Sequence, residues 1–174
     1  MITKGIVQIK LEKKNLTKFT FSDDYKMVFL NKETYQDYLS ELLSVSKLMK
    51  QDFDWIGIPD ESSLRRRFDN NSYCLLFYYK EALLGWVWAN DNLTPLYEDS
   101  VQKLKSNEIY AGGVFLSKKI KRPPNSGLAI YQMGFGYFLN MKGKDVLYSY
   151  IDDWNEVSIK LAYKIGYKDY NFIK

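Results

Sequence analysis

IYAGGVFLSKKIKRPPNSGLAIYQMGFGYFLNMKGKDVLYSYIDDWNEVSIKLAYKIGY, residues 109–167, is the stretch on which the reading of this 174-residue chain turns. It predicts a strand (IYAGGVFLSKK), a loop (IKRPPNSGLA), a helix (IYQMGFGYFLNMKG), a second strand (DVLYSYI) and a second helix (WNEVSIKLAYKIGY). A strand that enters a helix through a glycine-bearing loop aims unpaired backbone N–H groups and the positive helix end at an anion. In the loop, Gly127 allows close backbone approach and Ala129 keeps the first helical turn small. Lys118, Lys119, Lys121 and Arg122 add positive charge beside the helix start, Pro123-Pro124 stiffens the approach, and Asn125 or Ser126 can cap the helix. Two readings of the loop stand side by side: a diphosphate cradle, and an ordinary capped helix after a solvated basic loop. The helix that follows is apolar around much of its circumference and carries Gly134 and Gly136, for which close packing of helix on sheet is the expected reason.

Outward from this core, GIVQIKL (5–11) and KMVFL (26–30) alternate as strands do. ETYQDYLSELLSVSKLMK (33–50) is an amphipathic helix with Tyr35, Tyr38, Leu39, Leu42, Leu43, Val45 and Leu48 on or near one face. QDFDWIGIPD ends it, and Pro59-Asp60 starts a short helix over ESSLRRRFDNN. SYCLLFYYKEALLGWVWAND (72–91) reads as two apolar strands turning at Lys80-Glu81. NLTPLYEDSVQKLKSN (92–107) is polar and irregular, and YKDYNFI (167–173) closes the chain as a strand. This order, hairpin then strand–helix–strand–helix–strand, gives an α/β or α+β sheet with at least one parallel crossover, in a single domain over residues 1–174.

The totals exclude several chemistries. There is no histidine, and Cys74 is the one cysteine. Ser-His-Asp and Cys-His nucleophile systems, histidine-based zinc sites and internal disulfides are therefore out, and Cys74 within YCLLFYY reads as a core thiol. The apolar runs fall far short of the ~20 residues of a membrane span, and MITKGIVQIK has no apolar signal core. A cytoplasmic protein with no membrane or metal partner is expected. A formal charge of +4 suits an anionic ligand without demanding nucleic acid. Asp152-Asp153, adjacent at a strand end, reads as helix capping rather than as a metal pair.

The second helix carries a more specific pattern. Asn155-x-x-Ser158-x-x-Leu161-Ala162-x-Lys164-x-Gly166-Tyr167 resembles the C-terminal motif of the GNAT acyltransferase superfamily, N-x-x-S/A-x-x-L/V-x-x-K-x-G-F, with Tyr167 where phenylalanine is usual. With Gly127-Leu128-Ala129 in the pyrophosphate-loop position, the resemblance covers about residues 108–173. It implies a mixed, mostly antiparallel central sheet with a parallel β-α-β cofactor-binding unit and helices on both faces. It also implies binding of acetyl-CoA or another acyl-CoA as co-substrate. In that reading the backbone of Gly113, Val114, Phe115 and Leu116 pairs with the pantetheine arm. The amides of Asn125, Ser126, Gly127, Leu128 and Ala129, with Arg122 nearby, hold the diphosphate. Asn155 and Ser158 meet the pantetheine, and Tyr163 borders the cofactor.

The chain departs from the family pattern at three points. Pro124 stands where the family loop has Arg or Gln, and Arg122 lies two residues earlier. Ala162 stands where a tyrosine often protonates the departing thiolate, with Tyr163 about 100° away around the helix. No histidine is present to act as base. The resemblance then leaves a carboxylate working through water, with Glu108 the first choice, and a strand N–H such as that of Leu116 to hold the oxyanion. The catalytic candidates are Glu108 and Tyr163. The alternative for Glu108 is a solvated strand-end residue.

The acceptor is expected to meet residues 51–71 and 92–107, with Phe53, Trp55, Trp86, Trp88 and Tyr97 as an aromatic floor, though Trp86 and Trp88 also fit a core. Arg65-Arg66-Arg67 reads either as a solvated helix face or as a contact for an anionic acceptor, such as the phosphates of a nucleotide-linked amino sugar. The reading is thus an N-acyltransferase acting on the primary amine of a small molecule, as a monomer or homodimer. The alternatives are transfer to a protein or peptide amine, and a catalytically degenerate binding module, for which Pro124 and Ala162 argue. A nucleic-acid-binding domain is disfavoured because the aromatics alternate as core strands do.

Overall fold

The structure, a computed structural model, describes residues 5–53, 59–92 and 103–173, without the side chains of 169–173. Trp55 and Tyr97 lie outside the described residues. The architecture is mixed α/β and mostly antiparallel. The chain forms two compact units: one gathers Met1–Thr20, Asn90–Gly112 and Asn125–Lys174, the other Phe21–Ala89 and Gly113–Pro124.

In the first unit, β1 (Ile6–Glu12) is flanked by two antiparallel neighbours, β6 (Val146–Asp152) and β7 (Lys168–Ile173). The β1–β6 register runs from Ile6↔Asp152 to Glu12↔Val146 without a break, whereas β1–β7 carries an irregularity between Gln8 and Ile9. β6 in turn pairs in parallel with the first part of β5 (Glu108–Leu116). Parallel neighbours need a crossover, and here it is helical: α3 (Ser126–Ile130), a π turn (Tyr131–Phe135) and α4 (Gly136–Asn140) follow one another without interruption. Strand residues Ile9, Leu11, Ile109, Ala111 and Leu147 are fully buried, as are Ala129, Ile130, Phe138 and Leu139 of the crossover.

The expected plain helix is thus interrupted by a π turn. Gln132 lies in that turn, its side chain accepting from the Phe19 amide and donating to the Phe19 carbonyl (3.0 Å). The close packing expected of Gly136 is also found against a different partner. A Cβ there would stand 3.3 Å from Leu16 Cδ2, in the segment after β1 rather than in the sheet. α5 (Glu156–Lys164) ends at Gly166, whose φ of +104° and approach to the Asn15 carbonyl exclude any side chain.

In the second unit, β2 (Tyr25–Leu30) pairs antiparallel with β3 (Ser72–Tyr79), and β3 turns through Lys80-Glu81 into β4 (Ala82–Asn90), as read from the sequence. α1 spans Leu39–Asp52 and α2 Glu61–Asp69. Residues 35–38, expected as the first turn of a regular helix, form a 3-10 turn instead. Asn31 Oδ1 accepts from the amides of Glu33 (3.0 Å) and Thr34 (3.1 Å), which tightens the entry. α2 is capped by Asp60, whose Oδ1 accepts from the Ser63 amide at 2.8 Å. The core is aromatic: Tyr35 stacks on Phe68 at 4.3 Å, and Trp86, Trp88, Phe115 and the Cys74 thiol are buried with them. Burial pushes the Cys74 pKa well up, which fits an inert core thiol.

Candidate functional site

The parallel ladder between β5 and β6 is short. Three pairs form, Glu108↔Val146, Ile109↔Leu147 and Tyr110↔Tyr148, although both strands continue beyond them. At the next level, Ala111 opposite Ser149, a side chain replaces the main-chain bond: Ser149 Oγ donates to the Ala111 carbonyl. A carbonyl only accepts, so the Ser149 proton is committed there and the Tyr167 hydroxyl, 3.0 Å away, donates to Ser149 Oγ. Tyr167 is 3% exposed, and burial holds its pKa well above the ordinary tyrosine value. This relay lets two parallel strands separate without leaving the Ala111 carbonyl unpaired. Sequence reasoning missed it. Its signals were Ser149, a polar residue inside the apolar strand VLYSYI, and Tyr167 in the place of a phenylalanine.

α5 and α3 stand beside this opening. Asn155 caps α5, its Oδ1 accepting from the Ser158 amide at 3.2 Å. Ser158 lies near the hydroxyl of Tyr131, the first residue of the π turn, whose pKa burial raises while Ser158 opposes the rise. Gly127 faces Leu161 of α5, where a Cβ would come within 3.0 Å of Leu161 Cδ1. Helix-on-helix contact thus accounts for this glycine directly. Asn125 takes a left-handed φ of 66° and makes no side-chain cap, contrary to the capping role expected of it. The Ala129 amide closes the first turn on the Asn125 carbonyl (2.9 Å), so of the amides expected at an anion that of Ala129 is already engaged. Ala162 is fully buried, while Tyr163 is 42% exposed on the outer side of α5.

At the entry of β5, Glu108 is half-buried with both carboxylate oxygens engaged. Oε2 accepts from the Lys105 amide (2.8 Å) and Oε1 from the Tyr148 hydroxyl (3.2 Å). Lys144, 8% exposed, donates to the Glu108 and Ser106 carbonyls at 3.0 Å each. The carboxylate lies three residues before the point where the ladder opens, about 10 Å along an extended strand. Asp153 does not cap α5: its Oδ2 accepts from the Gly5 amide at 3.0 Å, pinning the start of β1. Among the described residues no cluster of metal-ligating side chains occurs.

The remaining sequence candidates fall in the second unit. Phe115 is 4% exposed and meets Phe53 edge-on at 6.0 Å, so its contribution beyond the core is its backbone. Val114 and Leu116 are half-buried. The Ser117 amide is given to the Leu84 carbonyl of β4 (2.9 Å). Neighbouring amides of an extended strand point to opposite edges, so the Leu116 N–H points away from β4. The basic loop is tied to its own unit. Arg122 Nη1 donates to the Ser117 carbonyl (3.2 Å), the Lys118 amide to Asp52 Oδ2 (2.8 Å), and Lys118 Nζ stands 4.8 Å from the Phe53 ring centroid.

No family model matches the sequence, and no curated protein is similar to it at a significant level. Solved structures are similar in backbone. A GCN5-related N-acetyltransferase from Kribbella flavida aligns over 97% of this chain and 55% of its own, with a TM-score of 0.60 and 8% identity. A tandem GNAT protein of the clavulanic acid biosynthesis pathway aligns over 99% and 52%, with a TM-score of 0.63 and 12% identity. The fold is that of the GCN5-related N-acetyltransferases. An aminoglycoside acetyltransferase from an uncultured soil metagenomic sample shares this GNAT fold over 84% of the chain and 90% of its own, with a TM-score of 0.57 and 13% identity. The chain spans about half the length of several of these structures, 49%, 55% and 52% in three of them. The GNAT fold implied by the resemblance of residues 108–173 is thus observed, and the opened β5–β6 ladder lies within it.

Proposed function

We propose that this protein is an N-acyltransferase that moves an acetyl or larger acyl group from acyl-CoA to the primary amine of a small molecule, an amino sugar or nucleotide-linked amino sugar being the class the basic clusters suit. The observation that carries this reading is the opened parallel ladder, held by the Tyr167–Ser149–Ala111 relay in a GNAT fold. A strand edge kept unpaired inside a sheet offers main-chain donors and acceptors to an extended, amide-bearing ligand such as a pantetheine arm. The amides of Gly127 and Leu128 at the start of the crossover would meet its diphosphate. Asn155 and Ser158 would hold the arm from α5, and the backbone of Gly113–Leu116 would bind it from β5.

Acyl-CoA supplies the activated thioester carbonyl. The amine nitrogen attacks that carbonyl, the C–N bond forms, the C–S bond breaks, and the thiol leaves as CoA. The ammonium proton must first be removed, and Glu108 is assigned that task through water, its carboxylate oriented by Tyr148 and the Lys105 amide. The outward amide of Leu116 is assigned to the oxyanion. Burial of Ala162 and exposure of Tyr163 speak for thiolate departure without a phenol on α5. A cytoplasmic setting is part of the proposal, and no described helix is long and apolar enough to cross a membrane.

Thermal unfolding with acetyl-CoA, CoA and a longer acyl-CoA tests the reading. A ligand at about 100 times its Kd adds about 2.7 kcal/mol, a rise of roughly 5–10 °C in a domain of this size. The absence of a shift with all three would overturn the acyltransferase reading and favour an interaction module.

A further inference from the structure

The second unit gathers positive charge where α1 ends. Lys47 and Lys50 of α1, and Lys118, Lys119, Lys121 and Arg122 of the loop after β5, are all exposed. Lys47, Lys50 and Gln51 share one side of the helix, the latter two being three and four positions beyond Lys47. Gln51 Oε1 accepts from Lys119 Nζ (3.4 Å), which brings the loop onto that side. Lys118 is drawn in as well, its amide donating to Asp52 Oδ2 (2.8 Å) and its Nζ standing 4.8 Å from the Phe53 ring centroid.

None of these six cations forms a salt bridge among the described residues. Elsewhere the chain does pair its lysines: Lys10 and Lys14 with Glu12, Lys26 with Glu81, Lys160 with Glu156. Asp52 is the single carboxylate of residues 47–53 and 117–122, and it is engaged by backbone. Like charges held together in this way repel, and an anionic surface is what relieves them. The exposed large apolar side chains among the described residues are Phe19, Tyr137, Trp154, Val157 and Tyr163, all in the first unit. A membrane-bound surface inserts apolar side chains, and a single-stranded nucleic acid stacks on exposed rings. Neither matches this cluster, whereas the acidic face of a folded partner does.

The loop follows without a break, and in the same unit, the β5 segment assigned to the pantetheine arm. Such an arm occurs on CoA and on carrier proteins. CoA concentrates its charge in a few phosphates, whereas the cations here are spread over the end of a helix and a loop. Arg122, the cation next to α3 in sequence, is turned to the Ser117 carbonyl of its own loop (3.2 Å).

We infer that this cluster docks an acidic carrier protein that presents the acyl group on a phosphopantetheine arm, so that β5 receives its donor from a protein as well as from CoA. The inference rests on the acyltransferase reading for the use made of the acyl group, but not for the docking itself. The transfer is the same: the amine attacks the thioester, the C–N bond forms and the C–S bond breaks. The thiolate, protonated from water, stays on the carrier.

A bacterial acyl carrier protein in acetylated, holo and apo forms is titrated into this protein at low ionic strength, with binding followed by calorimetry. The acetylated and holo forms bind. The apo form, with the same acidic face and no arm, binds at least tenfold more weakly. Lys47→Gln combined with Lys50→Gln, on an exposed helix side, weakens binding of the acetylated form at least tenfold and leaves the acetyl-CoA thermal shift as in the parent. Added salt weakens carrier binding in the same direction. The docking surface is overturned by absence of binding, by apo binding equal to holo, or by undiminished binding in the double variant. It is also overturned if the acetyl-CoA shift is lost with the two lysines, or if a single-stranded oligonucleotide binds as tightly as the acetylated carrier. An acetyl-CoA shift without carrier binding leaves the acyltransferase reading standing and removes the surface. Carrier binding without an acetyl-CoA shift keeps the surface and removes CoA as the donor.

Discussion

Ser149→Ala removes one oxygen and unpairs two buried groups. The Ala111 carbonyl loses its donor, and the Tyr167 hydroxyl, which has no solvent route at 3% exposure, loses its acceptor. Each buried group left unpaired lowers stability by about 1–3 kcal/mol, so the variant should lose roughly 2–6 kcal/mol. In a domain of this length that is a fall in Tm of roughly 4–24 °C. Tyr167→Phe should cost less, about 0.5–1.5 kcal/mol, because Ser149 still donates to Ala111 and loses only an incoming bond. The double variant supplies the sharper test. With Ser149 already absent, deleting the Tyr167 hydroxyl removes an unpaired group, so Ser149→Ala with Tyr167→Phe should be more stable than Ser149→Ala alone. Urea unfolding of the four proteins gives the cycle. One alternative outcome is informative: the ladder closes past Tyr110, stability recovers, and the thermal shift with acyl-CoA disappears. Additive losses in the double variant, or Ser149→Ala matching the parent in both stability and acyl-CoA response, would refute the relay as the device that keeps the strands apart.

Three further outcomes are expected. Asn155→Ala should lose about 1 kcal/mol with the α5 cap and bind acyl-CoA more weakly. Asn155→Asp keeps a capping oxygen but not the amide N–H₂, so parent-like acyl-CoA affinity in the Asp variant, measured by calorimetry, would reduce Asn155 to a cap. Glu108→Gln should lower turnover at neutral pH with acyl-CoA affinity unchanged, and full activity would remove Glu108 as the base. At alkaline pH the tyrosines set the sign: burial, then Glu41 and Tyr38, raises the Tyr78 pKa to about 12, and burial likewise raises Tyr131 and Tyr167. The unfolded chain ionises these phenols near ~10, so stability is fully present below that pH and is lost as pH rises through the folded values. Urea midpoints that stay level or rise between pH 10 and 11.5 would contradict those shifts.

The elements were legible in the sequence where one periodicity ran long enough to be diagnostic. The hairpin turning at Lys80-Glu81, the amphipathic α1 and the strand–helix–strand crossover all have local causes, namely alternation, an apolar face and turn residues. What was not legible depends on partners distant in sequence. Gln132 binds the Phe19 backbone 113 positions away, and Asp153 takes the Gly5 amide 148 positions away, so neither the π turn nor the loss of Asp153 as a cap had a local signal. Gly127 shows the same limit in the site itself. Its motif position suggested room for a ligand, while its nearest neighbour is Leu161, a residue of the second motif. One contact thus couples the two halves of the resemblance, and a pattern of residue types cannot separate packing from binding at such a position.

The departures from the family pattern are where the site's own physics shows. Phenylalanine at 167 would serve the core equally well, since the ring is buried and meets Phe135 at 5.7 Å. A tyrosine there is tolerated only with an acceptor for its hydroxyl, and Ser149 supplies it in the one strand level where the parallel ladder stops. The tyrosine at 167, which looks like minor variation in sequence, is therefore matched in space by Ser149. Gly112-Gly113 lies next along β5, at the point where the chain passes from one compact unit to the other, and Gly113 adopts a φ that side chains resist. A strand that loses its partner at Ala111 and its regular backbone at Gly113 has its main chain made available over successive residues. That local loosening, rather than any single catalytic side chain, is the strongest structural argument that β5 is built to receive a ligand.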